Sequence, residues 1–388
     1  MGAQHSSMGQ NRQSKVVASM IIKKISITGL FGRSGEIVYD LNHDLNLITG
    51  RNGSGKTTIL KLAWFIISGN IIHALQEVSF RSCMIETNLY TCTVYRTGSA
   101  HCKVILERNG DTFSFEDDVG DSEDVPFFES AEDKVKPFLV ESGSSIFFPT
   151  FRRIEGGFSL PAEASSRARL PSWAPKSDVD DVLSSLARKL SVKEHIFVAA
   201  ISTQDIVGLL LRRYASFSEE VNNFQQEVTR NVIEKIKHYQ SSQTSEASAD
   251  SLLSETREEI EKIEEFTSKT MSPLDAVRAL VEKLFQHSGI SFGRRLSFGD
   301  AAAAVNSDKL SAGEKQMLSF ICYNAFYSDS VVFIDEPELS LHVDWQRQLY
   351  PILQSQNSRN QFIFATHSPF IYSKYPDKEM VIGSDRGE

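Results

Sequence analysis

The chain has 388 residues, of which 41% are hydrophobic and 23% are charged, and its formal net charge is −9 at pH 7. These values are typical of globular proteins with a sizeable core, and the length suits about two domains. The acidic balance argues against a uniformly basic surface that coats DNA, although a local basic groove is compatible with it. Three arginine pairs could build such a groove or simply lie on a solvated surface: Arg152–Arg153, Arg212–Arg213 and Arg294–Arg295.

Cysteine usage and hydropathy predict a cytoplasmic protein. The four cysteines have neither metal-ligand nor redox spacing, which favours a reducing compartment. No apolar run approaches the ~20 residues that a membrane span needs. Residues 1–19 are polar and lack the apolar core of a signal peptide, so we expect a disordered leader. Membrane attachment is therefore not expected.

The first elements predict an α/β lobe over residues 20–160. Three stretches have strand character: "IIKKISITGLFG", "GEIVYDL" and "LNLITG". "KTTILKLAWFIISGNIIHAL" then carries apolar residues at helical spacing. Residues 84–115 are typical of β-hairpins, with Asn109–Gly110 as a turn. The lobe thus includes an antiparallel β element.

A helical insertion is predicted over residues 161–289. Apolar residues recur every three or four positions in "SEEVNNFQQEVTRNVIEKIKHYQ" and "LLSETREEIEKIEEF", with the turn-like "SSQTSEASAD" between them. This pattern fits a short coiled-coil hairpin whose arms have about 20 residues and reach about 30 Å. It equally fits two amphipathic helices packed on a globular lobe.

Residues 290–388 predict a second lobe that completes the sheet. "ISFGRRLSF" has strand character, and a helix is expected from about Glu314. Two apolar strands, in "SVVFIDEPELSL" and "QFIFATHSPFIYS", are each followed by polar loop residues. Such continuous apolar runs are typical of the buried strands of a parallel sheet.

A phosphate-binding loop runs from Gly50 to Thr58. "GRNGSGKTT" fits the pattern G-x-x-x-x-G-K-[ST] between a strand and a helix. Its glycines let backbone N–H groups approach phosphate oxygens, and the helix N-terminus adds its positive end. Lys56 can bind the β and γ phosphates, and the Thr57 hydroxyl can bind Mg²⁺. The predicted nucleotide-binding residues are Asn52, Gly53, Ser54, Gly55, Lys56, Thr57 and Thr58.

The two C-terminal strands end in residues that suit ATP hydrolysis. Asp335 follows the apolar run 331–334 and can reach the Mg²⁺ shell, while Glu336 can orient or activate a water molecule. His367 follows the next strand and should face the γ-phosphate if the two strands are neighbours. We therefore predict Glu336 and His367 as catalytic residues, Thr57 and Asp335 as metal ligands, and ATP and Mg²⁺ as cofactors.

The order of these motifs resembles that of ATP-binding-cassette ATPases, in their soluble SMC, RecF and OLD-like branch. The phosphate loop is followed by a long insertion, by "LSAGEKQ" at 310–316, by Asp335–Glu336 and by His367. "GLFG", "GRNGSGKTTILK", "LSAGEKQ", "DEPELSLHVDWQ" and "ATHSPF" are similar to sequences in ATPases of bacterial defence systems. The resemblance covers roughly residues 20–115, 145–160 and 290–385. It implies an α/β ATPase head built from both chain ends, with the helical insertion between them.

In that family the Leu-Ser-x-Gly motif binds the nucleotide of the opposite subunit. The resemblance therefore implies a trans signature motif, formed by Ser311, Ala312, Gly313 and Glu314. It also implies a homodimer or higher homo-oligomer in which two heads sandwich ATP. The implied role is the ATPase or scaffold subunit of an antiphage defence system that controls a separate effector, a nuclease or a toxin.

Two other roles fit the same motifs. One is a DNA repair or chromosome-maintenance ATPase that clamps DNA, and the other is an ATP-gated scaffold with negligible turnover. Because only about 20 residues follow His367, we expect no OLD-type nuclease domain in this chain. The family's glutamine loop has no clear counterpart, and the candidates are Gln76, Gln204, and Arg152 or Arg153 in "FFPTFRRIE".

Overall fold

Two six-stranded sheets form the framework of the described chain. The structure is a computed structural model, and it describes residues 19–118, 129–150, 153–154, 178–201, 203–241, 246–284 and 310–383. Residues 1–18 of the predicted leader, "ISFGRRLSF", Arg294–Arg295 and Arg152 lie outside these residues.

The first sheet is antiparallel and comes from the N-terminal lobe. Its strands lie in the order β2-β1-β4-β5-β6-β7. Asn109 and Gly110 have φ values of 55° and 89°, which suits the two-residue hairpin that joins the last two strands. The hairpins predicted over 84–115 are thus confirmed. The strands are β1 (Ile22–Thr28), β2 (Glu36–Asp40), β4 (Ser82–Thr87), β5 (Thr91–Arg96), β6 (Cys102–Arg108) and β7 (Asp111–Glu116).

The second sheet is parallel, in the order β10-β8-β12-β13-β3-β14. Its strands are β3 (Leu45–Thr49), β8 (Ser145–Phe148), β10 (His195–Phe197), β12 (Val331–Asp335), β13 (Gln361–Ala365) and β14 (Glu379–Val381). Strands β3, β8, β12 and β13 are buried at every position, as expected for a parallel sheet covered on both faces. The head is therefore α/β and is built from both chain ends.

Nine α-helices surround the sheets in the described residues. They are α1 (Lys56–Ile67), α2 (Ile71–Glu77), α3 (Ala131–Glu141), α4 (Asp178–Leu190), α5 (Thr203–Ser241), α6 (Glu246–Leu284), α7 (Ala312–Phe326), α8 (Val343–Gln354) and α9 (Pro369–Tyr372). The single helix expected after the phosphate loop is divided into α1 and α2, because Gly69 adopts a left-handed φ of 70°. Strand β10 falls inside the range predicted as a helical insertion, where it extends the parallel sheet. A further two-residue pair joins β9 (Arg153–Ile154) to β11 (Ala200–Ile201).

The parallel sheet separates two hydrophobic clusters. Neighbouring side chains along a strand point to opposite faces, so Phe147 and Phe333 join the cluster under α1 and the antiparallel sheet, whereas Phe148 and Ile334 join the cluster under α7 and α8. Trp64 of α1 is fully buried in the first cluster. This layering fixes the carboxyl ends of the central strands at one edge of the sheet.

Helices α5 and α6 form an antiparallel pair. Each has 39 residues, so the expected arms of about 20 residues were too short. Phe224 and Phe266 stack with ring centroids 4.1 Å apart, and Lys235 pairs with Glu255 at 3.2 Å, so the helices contact each other at two levels along the hairpin. Nearer the head, Leu209 and Leu274 join the same cluster as Phe320 of α7. The pair is thus a hairpin whose base packs on the head, and it combines both arrangements that the sequence allowed. Among the described residues, no helix has the length and hydropathy needed to cross a membrane.

Candidate functional site

The phosphate loop joins β3 to α1 and depends on glycine at two positions. Gly50 and Gly55 have φ values of 145° and 108°. A β-carbon at Gly50 would lie 2.7 Å from the carbonyl oxygen of Ile382, and one at Gly55 would lie 2.8 Å from the ring of Phe31. Other side chains are therefore excluded there by both conformation and space.

Lys56 is the first residue of α1 and is only 5% exposed. Its ammonium group donates hydrogen bonds to the carbonyl oxygens of Gly50, at 2.9 Å, and Arg51, at 3.2 Å. The charge is therefore held over the loop rather than in solvent. A phosphate group in the loop would lie next to this charge. The attraction would be strong, because water, which screens charges, is largely excluded around a buried ammonium group.

Asp335 lies at the carboxyl end of β12 and is fully buried. The Thr57 hydroxyl donates to its Oδ1 at 3.0 Å, and the Thr150 hydroxyl donates to its Oδ2. The sheet thus brings the phosphate loop, the end of β8 and the end of β12 to one point. A carboxylate with two hydroxyl groups is a set of hard oxygen donors, which fits Mg²⁺.

Glu336 adopts a left-handed conformation with a φ of 50°, and its amide donates to the carbonyl oxygen of Ala365 at 2.8 Å. That turn directs its carboxylate toward His367, whose Nδ1 lies 2.5 Å from Glu336 Oε2 and 3.2 Å from Glu338 Oε1. The prediction that His367 follows a strand next to the Asp335 strand is confirmed, since β12 and β13 pair in parallel register. The three side chains are close enough to share a proton or a cation, because one ligand atom of each lies within 4.8 Å of the others.

The electrostatics of this cluster favour a neutral Glu336 at acidic pH. The pKa of Glu336 is raised to about 7, mainly by burial and also by the nearby Glu338 carboxylate, whereas the charges of His367 and Lys56 lower it. A carboxyl group that titrates close to neutrality is well suited to accept a proton at physiological pH.

The motif "LSAGEKQ" begins helix α7. Ser311 is the N-cap, and its hydroxyl accepts a hydrogen bond from the Glu314 amide at 3.3 Å. The Glu314 carboxylate in turn accepts one from the Ser311 amide at 2.7 Å, so the two residues form a capping box. Ser311 is exposed, while Ala312, Gly313 and Glu314 are half-buried. The helix start therefore faces outward with its cap complete.

Helix α7 packs on the loop that follows Asp335. Gln316 is fully buried, and its amide nitrogen donates to the Pro337 carbonyl oxygen at 2.9 Å. Gly313 contacts the Ser340 carbonyl so closely that a β-carbon there would lie 2.3 Å from the oxygen. The start of α7 and the loop after β12 are thus one packed unit.

The sequence did not indicate Thr150 and Glu338 as site residues. Thr150 follows the apolar run "SIFFP", and Glu338 follows Glu336 by two positions, so both lay beside recognised motifs. Gln76, a glutamine-loop candidate, is exposed on α2. The side chains of Gln204, Arg152 and Arg153 lie outside the described residues. Among the described residues at the end of β8, Thr150 is the side chain that reaches Asp335.

Residues 104–373 match the family model described as "AAA domain, putative AbiEii toxin, Type IV TA system". This match covers more than half of the chain. The protein belongs to this AAA-domain family. The matched range of the AAA-domain protein includes helix α7, Asp335, Glu336 and His367, and it begins downstream of the phosphate loop.

Solved structures of SMC heads resemble this AAA-domain protein. An Smc head domain with an extended coiled coil, bound to the C-terminal domain of ScpA and derived from Pyrococcus furiosus, is 12% identical, with 95% of this chain and 94% of that chain covered and a TM-score of 0.40. An Smc head domain with a coiled coil and joint from Pyrococcus yayanosii is 12% identical, with coverage of 95% and 96% and a TM-score of 0.43. At such similarity these structures imply no function for this chain.

Proposed function

We propose that this protein binds ATP with Mg²⁺ and hydrolyses it when two heads close on the nucleotide. The observation that carries the proposal is the meeting of Thr57 with Asp335 at the sheet edge where Glu336 meets His367. A binding loop, an oxygen-rich cation site and a proton acceptor thus occupy one place. Membership of an AAA-domain family supports the same reading.

In the proposed reaction a water oxygen attacks the γ-phosphorus, and the bond from that phosphorus to the β–γ bridging oxygen breaks, releasing ADP and phosphate. The Glu336 carboxylate holds the water and accepts its proton, and His367 fixes the direction of that carboxylate. Lys56 binds the phosphates, and the loop amides surround them. Thr57 and Asp335 would hold Mg²⁺, which neutralises phosphate charge when it is bound.

The exposed start of α7 is the part of the site that a second chain completes. Ser311 lies at this exposed end, and the start of the helix favours an anion, because a helix N-terminus is positively polarised. We propose that Ser311, Ala312, Gly313 and Glu314 meet the nucleotide of a partner head, in a homodimer or a higher homo-oligomer. In the same proposal the chain is divided into an N-terminal lobe, a helical insertion and a C-terminal lobe, at residues 20–160, 161–289 and 290–388. The proposed location is the cytoplasm.

The proposed biological role is to act as the ATPase or scaffold subunit of an antiphage defence system. In this role head closure controls a separate nuclease or toxin. The family description, which names an AbiEii toxin and a type IV toxin–antitoxin system, supports a connection to such systems. A DNA clamp and an ATP-gated scaffold without turnover are the competing roles.

One purification distinguishes these roles. The chain is expressed with its genomic neighbours, isolated with ATP and Mg²⁺, and its mass and phosphate release are measured. The expected result is a dimer or larger assembly that releases phosphate and retains a small effector protein. Absence of an effector together with ATP-dependent, salt-sensitive DNA binding would support the clamp. Tight ATP binding without phosphate release would support the scaffold.

A further inference from the structure

Glu338 is a buried carboxylate that the hydrolysis scheme does not use. It lies in the loop after β12 and is 7% exposed. Burying a carboxylate is costly unless hydrogen bonds satisfy it. Its Oε1 atom accepts three of them, from the Thr366 hydroxyl at 2.8 Å, the His367 amide at 2.8 Å and the Ser368 amide at 3.1 Å.

All three donors belong to consecutive residues of the loop that carries His367. A single oxygen atom therefore fixes the backbone on both sides of the His367 peptide. Hydrogen bonds to a charged acceptor are about twice as strong as those between neutral groups. The position of the His367 imidazole depends on this backbone. Its Nδ1 lies only 2.5 Å from Glu336 Oε2, so a shift of the loop would break this contact.

A second side chain ties the same two loops together. Gln346 of α8 accepts a hydrogen bond from the Ser368 hydroxyl at 2.6 Å and donates one to the Leu341 carbonyl at 2.8 Å. The Leu341 amide donates to the Glu338 carbonyl oxygen at 3.0 Å. The loop after β12 and the loop after β13 are thus connected twice. Glu338 makes the connection nearer Glu336, and Gln346 makes the other.

We infer that Glu338 is a positioning residue that holds the loop Thr366–Ser368 and thereby presents His367 to Glu336. The inference rests on the proposed hydrolysis for its effect on turnover, but the contact itself exists without nucleotide. Glu338 is not assigned contact with ATP, so its loss should lower kcat and leave the KM for ATP unchanged.

The first test is steady-state hydrolysis by Glu338→Ala and Glu338→Gln. Glu338→Ala should lower kcat by about 10²-fold, because small misplacements of catalytic groups cost that much, while KM stays within about twofold. Glu338→Gln keeps an acceptor oxygen and should restore kcat to within about tenfold of wild type. Equal kcat for wild type and Glu338→Ala would overturn the inference.

The second test is amide hydrogen exchange, which requires no hydrolysis. Without nucleotide, Glu338→Ala should speed exchange of the His367 amide by about tenfold or more, since it loses a charged acceptor. The Ser368 amide should change less, because it also donates to the Thr366 hydroxyl at 3.0 Å. The Thr366 amide bonds the Ile48 carbonyl oxygen at 3.0 Å and should stay protected as an internal reference. Unchanged exchange at His367 would also overturn the inference.

Glu132 provides the matched control. It is 8% exposed, and its carboxylate accepts a hydrogen bond from the Ile72 amide at 2.5 Å, on α3 and away from the loops in question. Glu132→Ala removes an equally buried carboxylate and should leave kcat and the exchange of His367 unchanged. If wild type shows no turnover but Glu338→Ala speeds exchange, the proposed hydrolysis fails and the positioning contact stands.

Discussion

Gly313 lies against the carbonyl oxygen of Ser340, at a distance that leaves no room for a side chain. A β-carbon at position 313 would come within 2.3 Å of that oxygen. Ser340 itself has a left-handed φ of 67°, so its backbone is held in one direction. The loop that begins with the proposed base, Glu336, and the start of α7 are therefore in direct contact.

Gly313→Ala should separate these two elements. The added methyl group forces backbone shifts of the kind that cost about 1–3 kcal/mol, so we expect a lower Tm and at least about tenfold less turnover. Gly35→Ala is the matched control, because a β-carbon there meets nothing within 4 Å. Differential scanning calorimetry and phosphate release measure both effects. Equal results for the two variants would contradict the close contact.

Glu336→Gln should keep ATP binding and lose turnover. The amide preserves the shape of the side chain but cannot accept a proton, so kcat should fall by about 10²-fold or more. Titration calorimetry with ATP should give a dissociation constant close to that of wild type. Turnover near the wild-type value would mean that another group is the base.

The acid limb of the pH profile should report Glu336. Its pKa is raised to about 7, and only the ionised carboxylate accepts a proton, so activity should fall as the pH drops below that value. The profile of kcat/KM is the proper measurement, because it reports the free enzyme. A limb with its midpoint near 7 is expected in wild type, and the residual activity of Glu336→Gln should lack it. A wild-type midpoint near 4.5, the ordinary value for a glutamate, would show that burial does not control this group.

Ser311→Arg should block association rather than ATP binding. The side chain lies at an exposed helix start, so a bulky cation there should obstruct the partner nucleotide and leave the chain's own phosphate loop intact. Light scattering with ATP should then show monomers, and most turnover should disappear. Mixing this variant with Lys56→Ala should restore part of the activity, because one interface keeps both an intact Lys56 and an intact Ser311. If Ser311→Arg still associates in an ATP-dependent manner, the motif "LSAGEKQ" only caps helix α7 and does not bind the partner nucleotide.

Thr150→Val should weaken the cation site. Valine has a similar shape but removes the hydroxyl that donates to Asp335 Oδ2, and a buried hydrogen bond to a charged group contributes about 1.5–3 kcal/mol. The Mg²⁺ concentration that gives half-maximal turnover should rise, and Thr150→Ser should restore it. An unchanged Mg²⁺ dependence would mean that the Thr150 hydroxyl does not contribute to the cation site.

The meeting of the phosphate loop, Asp335, Glu336 and His367 at one edge of the sheet was predictable, because short motifs fix their local setting and parallel strands end at the same edge. Thr150 and Glu338 were not, because their roles depend on distant neighbours. Thr150 meets Asp335 across 185 positions, and Glu338 meets His367 across 29. Such contacts follow from the strand order β8-β12-β13, which no local pattern encodes.

The spacing of apolar residues did not predict the full length of the two hairpin helices. Gly208 and Pro273 lie inside α5 and α6, where a local reading predicts a break. The helices continue because their bases are buried against α7, and tertiary packing outweighs local preference there. Leu209 and Leu274, beside these two residues, belong to that buried cluster.

Because α5 and α6 are long, a small rotation at the base of the hairpin produces a larger displacement at its tip. Each helix has 39 residues and so measures about 58 Å. The base of the hairpin packs on α7. Because α5 packs on the head as far as Phe217, about 24 residues, or about 36 Å, extend beyond this contact, and a rotation of about 10° at the base would move the tip by about 6 Å. The length of the hairpin thus converts a small rotation at its base into a displacement of several ångströms at its tip.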